Sequence, residues 1–540
     1  MKRRHLLQQL GSLASLSAAG SLHAATAQPT QGAGFKPSWD SLASYQTPDW
    51  FRDAKFGIWA HWGPQCQPEM GDWYAREMYI EGSAKYRHHV ATYGHPSVYG
   101  FKEVIRDWKA ERWEPEELLS LYKRAGARYF MAMANHHDNF DLYASRRHAW
   151  NSTRIGPKQD IIKRWAGAAR AQGLPLGVSV HAAHAWTWYE PAQLADKTGA
   201  KAGVPYDGRL RKADGRGQWW EGLDPQELYA QDHPLSTHAD DPKAIHKQWD
   251  WGEGASKPSE AYIRNFLART LDLLDQHRPE LVYFDDTALP LWPISTVGLD
   301  IAAHLYNQHL DASGRTQAVL FGKILDEQQR RTMVWDIERG QSDRIEPLPW
   351  QTCTCLGAWH YDRRVLERKG YKSAETVIRM LIDVVSKNGN LLLNVPVKGD
   401  GRIDDVERRV VEEIGVWMQR HGESIYGTRP WRVFGEGPSL DKQAPLTAQG
   451  FNEGKGAAFG AADFRFTARG DVVYASGFVA SEGGKALIRS LARGQHRPVQ
   501  RVDLVGGAEA LRFQQRDDGL EVRLPADGIA TLPAYVLRIA

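Results

Sequence analysis

Carboxylates and imidazoles recur in this chain directly after apolar runs, and that placement makes them candidates for chemistry. The run Leu281-Val-Tyr-Phe284 is followed by Asp285-Asp286. Residues 129–134 deliver Asn135-His136-His137-Asp138-Asn139-Phe140, and Leu176–Val180 delivers His181, His184 and Trp186. An earlier segment, residues 55–60, ends in His61-Trp62-Gly63. A carboxylate can serve as nucleophile or proton carrier, and imidazoles can donate to the oxygens of a ligand. The set His136, His137, Asp138, His181 and His184 could instead hold zinc or nickel. Each has a plainer reading taken singly: a lone histidine is more often a hydrogen-bonded core residue, and an aspartate after a strand often just caps a helix. Four polar run-ends on one rim are harder to dismiss.

That rim needs a fold to supply it. Over residues ~49–425 short apolar runs alternate with amphipathic stretches. The runs at 129–134, 176–181, 281–284, 318–321 and 391–395 read as buried strands. The stretches at 115–125, 160–172, 260–277 and 373–387 read as helices, with Glu116 and Glu117 favouring the first turn of one of them. Continuous apolar strands separated by helices imply a parallel sheet. A (β/α)8-type barrel is the expectation at this length, and in such a barrel residues just after the strands sit on the face where active sites are built.

Beyond about Gly427 the texture changes to short strands near 463–467, 472–476, 486–489, 499–504, 511–515 and 520–524. Asp518-Gly519 offers a hairpin turn between the last two. Residues 431–540 therefore read as a C-terminal antiparallel β-sandwich domain with a stability or docking role, after a barrel domain over 36–430. The first 27 residues read as a signal peptide: Met1-Lys2-Arg3-Arg4, an apolar small-residue stretch, then Ala25-Thr26-Ala27. The expectation is an exported protein, periplasmic or extracellular, with Arg3-Arg4 also compatible with a twin-arginine signal. No later run is apolar and long enough to span a membrane. The 68 Lys+Arg nearly cancel the 65 Asp+Glu, so nothing in the charge favours nucleic acid as partner. Cys66, Cys353 and Cys355 are odd in number, and the last two are too close in sequence to pair easily, so no disulfide framework is expected. The 21 Trp and 20 Tyr fit either large core aromatics or a cleft that stacks flat sugar faces.

Five blocks, taken in order, resemble the α-L-fucosidase family of glycoside hydrolases (family twenty-nine). They are residues 55–63, Asp72-Trp73-Tyr74, His136-His137-Asp138, Tyr283-Phe284-Asp285 and residues 383–394. Lys398-Gly-Asp-Gly401 and Gly422-Glu-Ser-Ile-Tyr-Gly427 continue the match, which covers most of residues ~49–430. The resemblance implies a retaining exo-enzyme, a barrel with a trailing β-sandwich, a fucosylated oligosaccharide or glycoconjugate as partner, and no metal or cofactor.

It also implies roles. Asp285 stands where the family has its nucleophile, in a strand end that here carries Tyr283. Glu338 lies closest to the family's acid/base position, before Trp350-Gln351, with Glu346 as the alternative. His61, His136 and His137 match the sugar-pocket histidines and Trp73 the stacking aromatic, while Asp72 stands where many members have Glu. The strand ending at His181 lacks the family's tyrosines and offers His181, His184 and Trp186 instead. Asn135, Asn139 and Asp286 replace a usual lysine, glycine and glycine, so the linkage preference is open. Two other readings remain at this point: a metal-dependent barrel hydrolase, and a sugar-binding protein without turnover.

Overall fold

The computed structural model describes residues 34–540 except 242, 443, 447–449 and 526. The export signal expected over 1–27 lies outside the described residues. Eight parallel strands close a barrel in sequence order: β1 (Phe56–Ala60), β2 (Tyr129–Asn135), β3 (Leu176–Val180), β4 (Leu281–Phe284), β5 (Val319–Gly322), β6 (Val334–Glu338), β7 (Trp350–Cys355) and β8 (Gly389–Asn394). Closure is made by β1, which pairs Gly57 with Tyr129 on one side and Trp59 with Asn394 on the other.

The expected helices are present at Pro115–Arg124, Ile161–Ala171, Glu260–His277 and Ala374–Ser386. Their starts follow from local chemistry. Asp160, Ser259 and Ser373 accept a hydrogen bond from the amide three residues on, and Pro115 opens the first turn where its missing N–H costs nothing.

The barrel interior is partly polar, and this hid β7 from the sequence. Its residues Trp-Gln-Thr-Cys-Thr-Cys form no apolar run, yet all six are buried. Gln351 accepts from Tyr129 Oη at 2.9 Å and donates to Asp336 Oδ1 at 2.9 Å. Thr352 Oγ1 donates to the Ile337 carbonyl and Cys353 Sγ to Asp336 Oδ2. A strand whose polar atoms are satisfied inside the barrel needs no alternation to be stable.

Eight antiparallel strands follow: β9 (Arg429–Glu436), β10 (Phe464–Arg469), β11 (Val472–Gly477), β12 (Lys485–Ile488), β13 (Val502–Leu504), β14 (Phe513–Arg516), β15 (Gly519–Arg523) and β16 (Tyr535–Ile539). They form a five-stranded sheet in the order β13-β16-β11-β10-β9 and a three-stranded sheet in the order β12-β15-β14. Phe464, Phe466, Ile488, Leu520 and Leu537 share the core of this region. The terminal strand β16 was not expected, nor was β9. The expected hairpin exists with its turn shifted: Arg516 pairs with Gly519, so Asp517-Asp518 make the turn. Cys66, Cys353 and Cys355 are buried free thiols.

Asp383, which opens the long 383–394 block, ties the two regions together. It is buried and bonds Lys387 Nζ at 2.7 Å and Arg465 Nε of β10 at 2.5 Å.

Candidate active site

The C-terminal ends of the strands converge on a cavity of about 560 Å3. Asp285 enters it directly after β4, and Glu338 is the last residue of β6. Between them stands Lys323, one residue past the end of β5. Its Nζ lies 2.6 Å from Asp285 Oδ1 and 2.5 Å from Glu338 Oε2. Because both oxygens touch a single nitrogen, they lie no farther apart than the roughly 5–5.5 Å typical of the carboxyl pair in retaining glycosidases.

Asp285 is further gripped on its other oxygen, where His137 Nε2 and His181 Nδ1 each lie 3.2 Å from Oδ2. Burial opposes the charge on Asp285, but the Lys323 ammonium and the two imidazoles overcome it and hold the carboxyl well below the usual carboxylate range. Burial likewise pulls Lys323 down, yet the two carboxylates hold its ammonium well above the usual lysine value. His181 is pushed down to about 4 by burial, against the pull of Asp285, and is neutral near pH 7.

The remaining imidazoles form the opposite wall. His61 and His136 are buried, 5.1 Å apart between ring centres, and burial holds both well below the usual histidine value. The tautomer of His136 follows from its neighbour. The Ala75 amide donates to Gln65 Oε1, so Gln65 Nε2 is the end that meets Asp138 Oδ2 at 3.2 Å and His136 Nδ1 at 2.8 Å. Nδ1 must therefore accept, and Nε2 is left carrying the N–H. Asp72 lines the cavity and accepts from the amides of His360 at 2.6 Å and Trp359 at 3.3 Å, drawing that loop against the pocket. Trp73, in a left-handed conformation at φ 63°, stacks on His246 at 5.0 Å. Tyr283 lies at the floor, 4.9 Å from Trp59.

The alpha-L-fucosidase family model matches residues 22–423, about three quarters of the chain. The chain belongs to the α-L-fucosidase family. Its relatives include the tissue α-L-fucosidase of Rattus norvegicus, 25% identical over 74% of this chain and 74% of that protein, and the plasma α-L-fucosidase of Homo sapiens, 25% identical over 74% and 73%. In fold it is similar to the Thermotoga maritima alpha-fucosidase (TM-score 0.66, 24% identity, 94% of this chain and 100% of that one). It is also similar to alpha-L-fucosidase isoenzyme 1 from Paenibacillus thiaminolyticus (0.62, 19%, 91% and 97%).

For this family member, Asp285, Glu338, His61, Asp72, Trp73, His136, His181 and Tyr283 all line one cavity, and His137 touches it through Asp285. Trp186 does not join them. It stacks on His233 at 4.0 Å, donates toward Ser256 and faces a separate cavity beside Tyr262 and Arg269, because the chain turns into a short helix after His184. Glu346 is also elsewhere. It precedes β7, so it lies at the other end of the barrel, bonded to Ser342 and Arg330. The metal set suggested by sequence is split: His184 is sandwiched between Trp249 and Trp251 and faces Asp286, while Asp138 faces Gln65. Lys323, Trp359 and His360 went unnoticed in the sequence. Lys323 did carry a signal, since it is a polar residue immediately after a buried strand.

Proposed function

We propose that this chain hydrolyses terminal α-L-fucosyl linkages of fucosylated oligosaccharides or glycoconjugates with retention of configuration, Asp285 acting as nucleophile and Glu338 as acid/base. The single observation that supports the assignment is the shared ammonium of Lys323, which keeps the nearest oxygens of the two carboxyls within the separation typical of a double displacement. In the first step the Asp285 oxygen bonds to the anomeric carbon, the glycosidic C–O bond breaks, and Glu338 gives its proton to the departing oxygen. In the second step water loses a proton to Glu338, its oxygen bonds to the anomeric carbon, and Asp285 leaves as a carboxylate. Lys323 and the two imidazoles keep Asp285 ionised for attack and receive its charge again on release. The N–H of His136 is a fixed donor for a sugar hydroxyl, and Trp73 offers an apolar face.

The histidines also support a metal reading, since ligand atoms of His61, His136 and His360 lie within 4.8 Å of one another, as do those of His136, His137 and His181. The Gln65 amide disfavours it, because it holds His136 with the N–H on its remaining nitrogen. Prolonged treatment with EDTA should leave turnover of an aryl α-L-fucoside unchanged; complete loss restored by zinc would favour the metal. Proton NMR tests the main reading, with the α-anomer of fucose expected first and the β-anomer overturning it. The N-terminal charge and A-x-A pattern support export to the periplasm or beyond.

A further inference from the structure

Among the described residues, the C-terminal region reaches the active-site cavity at Phe451. Between β9 and β10, Gly450 bridges to Glu338 in parallel register. The Phe451 amide donates to the Glu338 carbonyl at 2.9 Å, and the Glu453 amide donates to the Arg339 carbonyl at 3.0 Å. Asn452 clamps the strap further, exchanging hydrogen bonds with the amide and carbonyl of Gln341 at 2.8 and 3.1 Å. Thr354, on β7, donates to the Glu453 carboxylate at 2.7 Å. Gly450 is required here: its φ is 91°, and a Cβ would lie 2.4 Å from the Glu338 carbonyl oxygen. The strap delivers Phe451, itself at φ 60°, to the cavity wall with 45% of its surface exposed. A bulky side chain in left-handed backbone and open to solvent is poorly placed for stability and well placed for a ligand.

We propose that this strap builds the leaving-group subsite, with Phe451 as the platform on which the pyranose ring released from fucose stacks. The inference rests on Glu338 being the proton donor. The leaving oxygen must touch that carboxyl, so the ring beyond it lies against the neighbours of Glu338. Those neighbours are Arg339 along the chain and Phe451 across the bridge, whereas the histidines and Asp285 enclose the fucosyl side. An aromatic face suits the C–H face of a pyranose, and Arg339 supplies donors at its edge.

The test compares a fucosyl disaccharide with α-L-fucosyl fluoride, whose leaving atom extends no farther than Glu338. In the full chain, Phe451→Ala should lower kcat/KM for the disaccharide by about 10-fold, the scale of one aromatic contact, while shifting the fluoride far less. Phe451→Trp should keep the disaccharide rate. With the fluoride as donor and a free pyranose as acceptor, Phe451→Ala should also lower the ratio of transfer to hydrolysis. Equal losses on both substrates, or no loss on either, would overturn the subsite. An error in the Glu338 assignment would show separately, as a Glu338→Ala variant that still cleaves the disaccharide. The transfer ratio needs no protonated leaving group and tests Phe451 regardless.

Discussion

At the scale of single residues, the centre is a cluster in which one ammonium bridges two carboxyl groups, and its members should fail in different ways. Asp285→Asn should lose activity by several orders of magnitude with an unchanged fold, since the covalent step disappears; unfolding curves and turnover of an aryl fucoside check both halves. Glu338→Ala should cost about 10²–10⁴-fold on disaccharides and far less on substrates with acidic leaving groups, and added azide should restore its second step. Lys323→Met removes the largest force holding Asp285 ionised. Asp285 should then titrate higher, so the acid limb of kcat/KM moves up and activity is lost sooner as pH falls. Lys323→Arg should bring the limb back toward its original place. An unchanged pH profile in Lys323→Met would refute this account of the cluster.

At the scale of elements, each strand end contributes one or two groups, and the loops between them decide which groups meet. Gln65, in the turn after β1, orients His136 from β2; Asp72, in the loop that follows, holds the 359–360 segment beyond β7. Asp383 performs the same service between regions, gripping Arg465 of β10. Asp383→Ala should destabilise the protein by about 3–5 kcal/mol, because Lys387 and Arg465 keep their buried charges without a counterion. Despite burial, those two cations hold the Asp383 carboxyl below its usual range. The stability it contributes is therefore full above the unfolded value near ~3.9 and is lost as pH falls through the lower folded one. Urea titrations of wild type and variant at pH 7 and at a pH below ~3.9 would show the difference shrinking.

At the scale of the whole molecule, a barrel supplies the chemistry and an antiparallel region closes its side. Export is the remaining expectation of this scale: expression with the natural N-terminus should give a mature chain starting just after Ala27, read directly by N-terminal sequencing. Retention of an intact Met1 in the exported fraction would refute it. Among the described residues no helix is long and apolar enough to cross a membrane.

Hydrophobic continuity made most barrel strands legible, because a strand buried on both faces must be an unbroken apolar run, and the polar residue after it falls on the rim. Asp285, His61, His136, His137 and His181 could be read that way, and the resemblance to the α-L-fucosidase family added Glu338, Asp72 and Trp73. What the chain alone did not decide were contacts made across long sequence separations. Glu338 and Glu346 are eight residues apart and look alike in sequence; only the course of the chain from the end of β6 back to the start of β7 puts them at opposite ends of the barrel. Trp186 follows a strand closely, yet a short helix turns it away. Lys323 matters because β4 and β6 flank β5, a fact of strand order in space. Phe451 lies more than a hundred residues beyond Glu338, and no local pattern marks it. Periodicity reports how a residue meets its own element, whereas the meeting of two elements is settled by closure of the barrel and by the packing of the second domain against it.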